Sequence, residues 1–388
     1  MPTDPPPLVR RLPEQYFTRL LAATAAARAA PGPRFLDLGR GNPDIAPPAH
    51  ALAALHASVD APASQPPWVH GYPPFQGLPS LREAIAERYW LDHGVRLDAQ
   101  REVAVIPGTK TGIMLVALAA AAPGTQVVLP DPGYPDYPSG VALAGAEAAT
   151  VRLDPTAGFQ PDLESIRAPR PSLLVLNYPA NPSAVAARPG TFAAAAAWAR
   201  ERGAWLLHDL AYDRLTFDGH EARSVLAEEG TRDVAVELWS PSKVYGMAGW
   251  RIGFLVGAPQ LVDRVRQLVD HFTAGVFTPV QRGLEAALRG PQDSVAERRA
   301  TYDRRRTLLV DTLRAAGAEI AAPEGTFYVW WRMPEGVSAE RLLTEARVGV
   351  APGIGFGATG EGWARLSLAT PDDDVAEAAE RLARIVAR

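Results

Sequence analysis

Trp205-Leu206-Leu207-His208-Asp209 is the stretch that decides the fold class. Three large apolar residues and a histidine, with no polar alternation, end at a carboxylate. A strand apolar on both faces belongs inside a sheet that is covered on both sides. Working outward, further short apolar runs lie at 102–106, 126–129, 147–153, 173–176, 234–239 and 252–256. Helical patterns at 111–121, 191–202 and 260–272 stand between them. The alternation predicts an α/β fold, with a mostly parallel seven-stranded sheet held between helices in a large domain. Ligands of such sheets bind beyond the carboxyl ends of the strands. The polar residues singled out below fall at those ends.

Upstream, helices are expected at 14–30 and at 79–93, the latter with Leu81, Ala84, Ile85 and Tyr89 on one face. The Pro- and Gly-rich stretch 31–78 is expected to wrap over the surface. Past Gln281 the texture changes. An Arg-rich helix at 295–316 precedes short strands at 326–331, 349–351 and 364–368, and a last helix at 373–387 opens on three Asp that suit the helix dipole. This second texture reads as a smaller α+β domain. The expected division is 1–50 as an N-terminal arm and part of the small domain, 51–283 as the large domain and 284–388 as the small C-terminal domain.

The bulk numbers exclude several classes. The chain has 388 residues, 47% hydrophobic and 21% charged, and a net charge of −4, which gives no electrostatic case for nucleic acid or an anionic membrane. With no cysteine there is no disulfide, thiol nucleophile or Cys-ligated metal, and the seven His form no metal-binding pair. The opening Met1-Pro2-Thr3-Asp4-Pro5-Pro6-Pro7 has neither a basic nor an apolar leader region. The longest apolar run, 113–122, is half of the ~20 residues that a membrane span needs. A soluble, cytoplasmic protein without a metal is expected.

Only two of the 39 basic residues are lysine, Lys110 and Lys243. A guanidinium stays protonated and forms no imine, whereas a desolvated amine can lose its proton, attack a carbonyl and act as a base. Drift toward Arg explains the count equally well, so the neighbourhoods matter. Gly108-Thr109-Lys110 follows a predicted strand and opens a helix, an arrangement suited either to an anion or to a plain tight turn. Ser240-Pro241-Ser242-Lys243 ends another strand, with Arg251 eight residues on, and its hydroxyls and guanidinium suit a phosphate. Asp209 needs a cationic partner if buried. Asn177-Tyr178-Pro179-Ala180-Asn181-Pro182-Ser183 ends another predicted strand, and reads otherwise as a turn built from Asn and Pro. Tyr134 reads as a stacking ring or a packed one. Arg365 reads as a bidentate clamp for a carboxylate or as one more surface arginine. Gly355-Phe356-Gly357-Ala358-Thr359-Gly360 fits the dinucleotide pattern but precedes a predicted strand rather than a helix, and is rejected as a nucleotide site.

Together these residues resemble the class I/II aminotransferases, pyridoxal-phosphate enzymes of fold type I, from about residue 36 to the C-terminus. The stretches that carry the likeness include His70-Gly71-Tyr72, Gly77-Leu78-Pro79-Ser80-Leu81-Arg82, Pro132-Gly133-Tyr134-Pro135, His208-Asp209 with Tyr212, Gly249-Trp250-Arg251-Ile252-Gly253, and 356–365. They look most like the LL-diaminopimelate and alanine-type branch. The resemblance implies pyridoxal 5'-phosphate bound covalently through Lys243, with Asp209 at the ring nitrogen, Asn181 and Tyr212 at the phenolic oxygen and Tyr134 stacked on the ring. It implies a phosphate held by Gly108, Thr109, Lys110 (mainly through main chain), Ser240, Ser242 and Arg251, and by Tyr72 of a neighbouring subunit. It implies that Arg365 binds the substrate α-carboxylate, with Asn181 and the Gly41 backbone nearby. It implies ping-pong transfer between an L-amino acid and a 2-oxo acid, glutamate and 2-oxoglutarate being the expected pair, in a homodimer with its site at the subunit interface.

Two positions depart from the family pattern. Ala184 stands where Gly is usual and is strained if its φ is positive. Pro241 removes one backbone donor. Two other readings stay open: a C–S lyase using the same residues for β-elimination, and a ligand-sensing regulator, for which the 35 or so residues ahead of the likeness are too few to form a winged helix.

Overall fold

In chain order the strands are β1 (Leu36–Asp37), β2 (Val103–Ile106), β3 (Gln126–Asp131), β4 (Glu147–Arg152), β5 (Pro171–Leu176), β6 (Trp205–Leu210), β7 (Ala235–Trp239), β8 (Gly253–Gly257), β9 (Tyr328–Arg332), β10 (Val348–Gly349), β11 (Ala351–Pro352) and β12 (Trp363–Ser367). They are seen in a computed structural model that describes residues 7–62 and 69–387. The opening residues 1–6, read above for a leader region, lie outside the described residues.

β2 to β8 form the expected seven-stranded sheet, in the order β2-β8-β7-β6-β5-β3-β4. Neighbours from β4 through β7 are parallel, and β8 alone runs against both of its neighbours. Every residue of β2, β7 and β8 is buried, because helices cover both faces. Within β5 the side chains divide by alternation. Leu173 and Val175 join the core under helices Thr109–Ala120 and Pro259–Phe272, while Leu174 and Leu176 join the core on the other face, with Leu81, Ile85 and Phe192. Each such fully buried side chain contributes about 1.5–3 kcal/mol. The antiparallel β8 has a positional consequence. Its first residues pair with the last residues of β2 and β7, Ile106 opposite Gly253 and Trp239 opposite Phe254. Arg251, just before β8, is thereby delivered to the same edge as the carboxyl ends of the parallel strands.

The C-terminal texture is a three-stranded antiparallel sheet, β11-β12-β9, with helices Asp293–Ala315 and Asp372–Val386 against it. Asp372, Asp373 and Asp374 occupy the first turn of the last helix. β1 pairs in parallel with β10, and Leu36 and Leu38 share a core with Trp331, Leu366 and Leu382. The expected strand 349–351 is divided, because Val348–Gly349 pairs with β1 while Ala351–Pro352 pairs with β12.

The stretch 31–78 does not simply wrap the surface. It contains helix Ala49–Val59, whose Ala51 is fully buried and which packs on helix Thr278–Arg289. Pro47 and Pro48 mask it in the sequence, yet Pro48 is its N-cap, where a missing N–H costs nothing. Helices Tyr137–Ala144 and Thr278–Arg289 were also absent from the sequence reading, and each carries Pro in its first turn. No helix among the described residues is long and apolar enough to cross a membrane.

Candidate active site

A cavity of about 480 Å³ opens at the carboxyl edge of the large sheet. Lys243 reaches it from the short helix Pro241–Val244 that follows β7. Pro241 is at the start of that helix, where its missing N–H would be unpaired in any case, and Ser240 caps it by accepting from Ser242 N at 3.1 Å. Lys243 Nζ donates to Gly41 O at 2.6 Å. Burial, then the Arg365 and Arg251 guanidinium groups, lower its pKa to about 7. Near neutrality much of this amine is therefore uncharged.

Asp209 stands near the end of β6, 5% exposed. Its Oδ2 accepts from Tyr137 Oη at 2.9 Å and its carbonyl from Asn177 Nδ2 at 2.6 Å. Oδ1 is buried without a hydrogen-bond partner. Burial raises the carboxyl pKa to about 6, opposed by Tyr137 and His208. Behind it, His208 is locked between Glu237 (Nδ1 to Oε2, 2.6 Å) and the Tyr178 carbonyl (Nε2 to O, 2.8 Å). A carboxylate oxygen held this way is costly unless a donor or cation meets it.

Arg365, in β12, is 1% exposed, and no ion pair to it is found among the described residues. Its Nη1 donates to Asn181 Oδ1 at 2.9 Å and its Nη2 to Gly39 O at 3.0 Å, while the guanidinium lies 3.9 Å from the Tyr328 ring centroid. A buried guanidinium bonded only to neutral groups suits an anionic ligand. Asn181 is itself fixed, its N–H donating to Asn177 Oδ1 at 2.7 Å. Tyr212 Oη donates to Tyr328 Oη at 3.3 Å, and burial holds the Tyr212 hydroxyl well above its ordinary pKa.

The third feature is a cradle at the start of helix Thr109–Ala120. Gly108 precedes the helix with φ 85° and no side chain caps its first turn. A Cβ at Gly108 would lie 2.7 Å from Arg251 Nη2, so glycine is needed for Arg251 to close in. Thr109, Lys110, Ser240, Ser242 and Arg251 all line the cavity on this side. Backbone N–H groups, hydroxyls and a guanidinium facing one space make an anion site. Lys110 Nζ already pairs with the buried Asp136, at 3.1 Å.

The structure thus brings together Gly41, Thr109, Lys110, Tyr134, Asn181, Asp209, Tyr212, Ser240, Ser242, Lys243, Arg251 and Arg365 around one cavity, with Gly108 at its edge. Tyr72 is 83% exposed and does not line the cavity of its own chain. Sequence reading did not single out Tyr137, Tyr328 or Phe17. Tyr137, three residues past Tyr134, carries no signal that separates it from a packed ring. Tyr328 carries no local signal. Phe17 belongs to the expected N-terminal helix, Tyr16–Ala29, whose docking place no pattern reveals.

That helix is seated by Gln15 Nε2 donating to Asp136 Oδ1 at 2.7 Å and Tyr16 Oη donating to Pro352 O at 2.9 Å. Gly355 makes room for it, since a Cβ there would lie 1.9 Å from the Tyr16 ring. The glycines of the rejected dinucleotide pattern therefore serve packing, in short turns ahead of β12. Ala184 does take the strained conformation, with φ 60°. Its carbonyl is held by Glu324 N and Gly325 N at 2.9 and 3.0 Å.

Residues 33–382 match the family described as aminotransferase class I and II. The chain is 39% identical over 381 residues to an LL-diaminopimelate aminotransferase of Desulforudis audaxviator, covering 96% of each protein. It is 36% identical to the L-glutamine–4-(methylsulfanyl)-2-oxobutanoate aminotransferase of Bacillus subtilis, covering 97% of this chain and 95% of that one. Among solved structures, substrate-bound BacF from Bacillus subtilis superimposes with a TM-score of 0.92 at 33% identity, covering 99% of this chain and 98% of that one.

Proposed function

Because this chain belongs to the class I and II aminotransferase family, we propose that its cavity holds pyridoxal 5'-phosphate and that Lys243 is the residue bonded to it. The protein is an amino acid aminotransferase. The observation that carries the residue assignment is a convergence. A lysine amine with its pKa lowered to about 7, a buried carboxylate oxygen and a buried arginine, the latter two with no hydrogen-bond partner and no counter-ion respectively among the described residues, face one cavity.

The residues present fit the cofactor. The unpaired Asp209 Oδ1 suits a protonated ring nitrogen. The cradle of Gly108, Thr109, Lys110, Ser240, Ser242 and Arg251 suits a phosphate dianion, and would use the main chain of Lys110 rather than its paired ammonium. Asn181 and Tyr212 supply donors for the phenolic oxygen, and Tyr134 a ring for stacking. When bound, this cofactor supplies an electron sink for the bond broken at the substrate Cα.

The chain's own groups do the rest. Arg365 binds the α-carboxylate and so fixes which Cα bond faces Lys243. Lys243 Nζ, whose pKa as a free amine is lowered to about 7 and which can therefore be neutral near pH 7, would take the Cα proton and later return it; such positioned transfer contributes about 10²–10⁴-fold. Asp209 stays ionised once a cation lies against Oδ1, because that charge offsets the burial that now raises its pKa. We propose glutamate and 2-oxoglutarate as one substrate pair, a cytoplasmic location and a homodimer in which Tyr72 reaches the partner's phosphate cradle. Exposed Tyr72, Phe272 and Phe277 (83, 65 and 52% exposed) support a covered surface there. We likewise propose the division into 1–50 as an arm and part of the small domain, 51–283 as the large domain and 284–388 as the small one.

The test is a panel of amino donors against 2-oxoglutarate and pyruvate, scored for the new amino acid, with Lys243→Ala beside the wild type. Wild-type transfer is expected, and Lys243→Ala should lose both turnover and the visible absorbance of the bound cofactor. Retention of either by the variant, or release of pyruvate and ammonia from a cysteine conjugate without any 2-oxo acid, would overturn the reading.

A further inference from the structure

We propose that Arg40 grips the distal carboxylate of a dicarboxylic amino acid at the cavity mouth, which makes it the residue that admits glutamate-type substrates. The proposal rests on the aminotransferase reading and deepens it.

Five cations line the cavity: Arg40, Lys110, Lys243, Arg251 and Arg365. Four are already committed. Lys110 is paired with Asp136 at 3.1 Å. Lys243 is the reacting amine, Arg251 closes the phosphate cradle, and Arg365 is buried for the α-carboxylate. Arg40 remains, exposed and with no hydrogen bond or ion pair among the described residues. The sole carboxylate in the lining is Asp209, so nothing there neutralises Arg40.

The backbone around Arg40 is fixed by the same machinery. Gly39 O accepts from Arg365 Nη2 at 3.0 Å, Gly41 O accepts from Lys243 Nζ at 2.6 Å, and Gly39 N donates to Asp37 Oδ1 at 3.0 Å. Position 41 has no room for a side chain, because a Cβ would lie 1.9 Å from Tyr328 Oη. Gly39-Arg40-Gly41 therefore offers the cavity one side chain, on a segment held between the α-carboxylate site and the amine. A substrate with a second carboxylate, its first on Arg365, meets this planar donor fork next along the rim. A rim charge exposed in the single chain, with no acid of the cavity lining against it, gives selectivity rather than great affinity.

The experiment compares glutamate with glutamine, which differ only in the distal group, in holoenzyme of wild type, Arg40→Ala, Arg40→Lys and Lys110→Met. The wild type should prefer glutamate in kcat/KM, and Arg40→Ala should cut the glutamate-to-glutamine ratio at least about tenfold. Arg40→Lys should keep part of the ratio, and 0.5 M NaCl should compress it in the wild type because exposed charges are screened. Calorimetric binding of glutarate against butyrate reads the same contact without turnover, and Arg40→Ala should erase glutarate's advantage. An unchanged ratio in Arg40→Ala, a wild type that prefers glutamine, or loss of the ratio in Lys110→Met instead overturns the proposal. A failure of the aminotransferase reading looks different: the wild type then transfers from no donor at all, while the glutarate measurement still decides Arg40.

Discussion

Replacing Lys243 by Met in cofactor-free protein removes an amine that the fold holds against its own protonation. Burial, then Arg365 and Arg251, lower its pKa from 10.5 to about 7. The unfolded chain keeps that proton until about pH 10.5, whereas the folded protein releases it near pH 7. Between those values the unfolded state binds more protons, so wild-type stability rises with pH. Below pH 7 the folded wild type carries the whole burden, about 5 kcal/mol at ~1.36 kcal/mol per pH unit. Integrated from pH 6 to pH 9, the wild type gains roughly 3 kcal/mol that the variant does not. Met has nearly the volume of the lysine side chain, and its packing does not titrate. The lost hydrogen bond to Gly41 O shifts the offset between the two proteins more than its slope with pH. Urea unfolding of both stripped proteins at pH 6, 7.5 and 9, at one fixed protein concentration, gives the comparison. The variant should be the more stable at pH 6, by a margin that shrinks by roughly 3 kcal/mol at pH 9. A margin independent of pH, or one that widens as pH rises, refutes the claim that Lys243 is desolvated beside two guanidinium groups.

Two further outcomes are expected. Asp209→Asn should slow the half-reaction with any amino acid by at least about a hundredfold and let the cofactor wash out sooner on dialysis; an unchanged half-reaction rate would break the pairing with the ring nitrogen. Arg365→Ala should raise KM for every amino acid tried by about ten- to a hundredfold, since the α-carboxylate is common to all; a penalty confined to one substrate would mean that another group holds it.

The large sheet was legible because most of its strands are short and buried on both faces, the largely exposed β4 excepted, so that apolar runs and strands coincide. Helices that begin with proline were not, because Pro47-Pro48 before Ala49 and Pro279 after Thr278 read locally as breaks although they occupy positions where an N–H is dispensable. Within the site, Lys243, Asp209 and Arg251 stood out because each lies in or beside a strand end that the topology gathers at one edge. Ala184 was flagged as an odd residue for its place, and the positive φ is there. Tyr137 and Tyr328 were illegible as partners, since the bonds to Asp209 Oδ2 and from Tyr212 join residues 72 and 116 positions apart. Arg40 was passed over because one arginine among many carries no pattern; only the roles proposed for the other cavity cations set it apart.

The seating of Tyr16 against Gly355 and Pro352 also sets an order of events during synthesis. The two partners of that hydrogen bond are 336 positions apart. At a translation rate of ~5–20 residues per second, the helix that bears Phe17 and Leu20 emerges tens of seconds before the surface that receives it. One wall of the reaction chamber is thus manufactured first and can be hung only at the end.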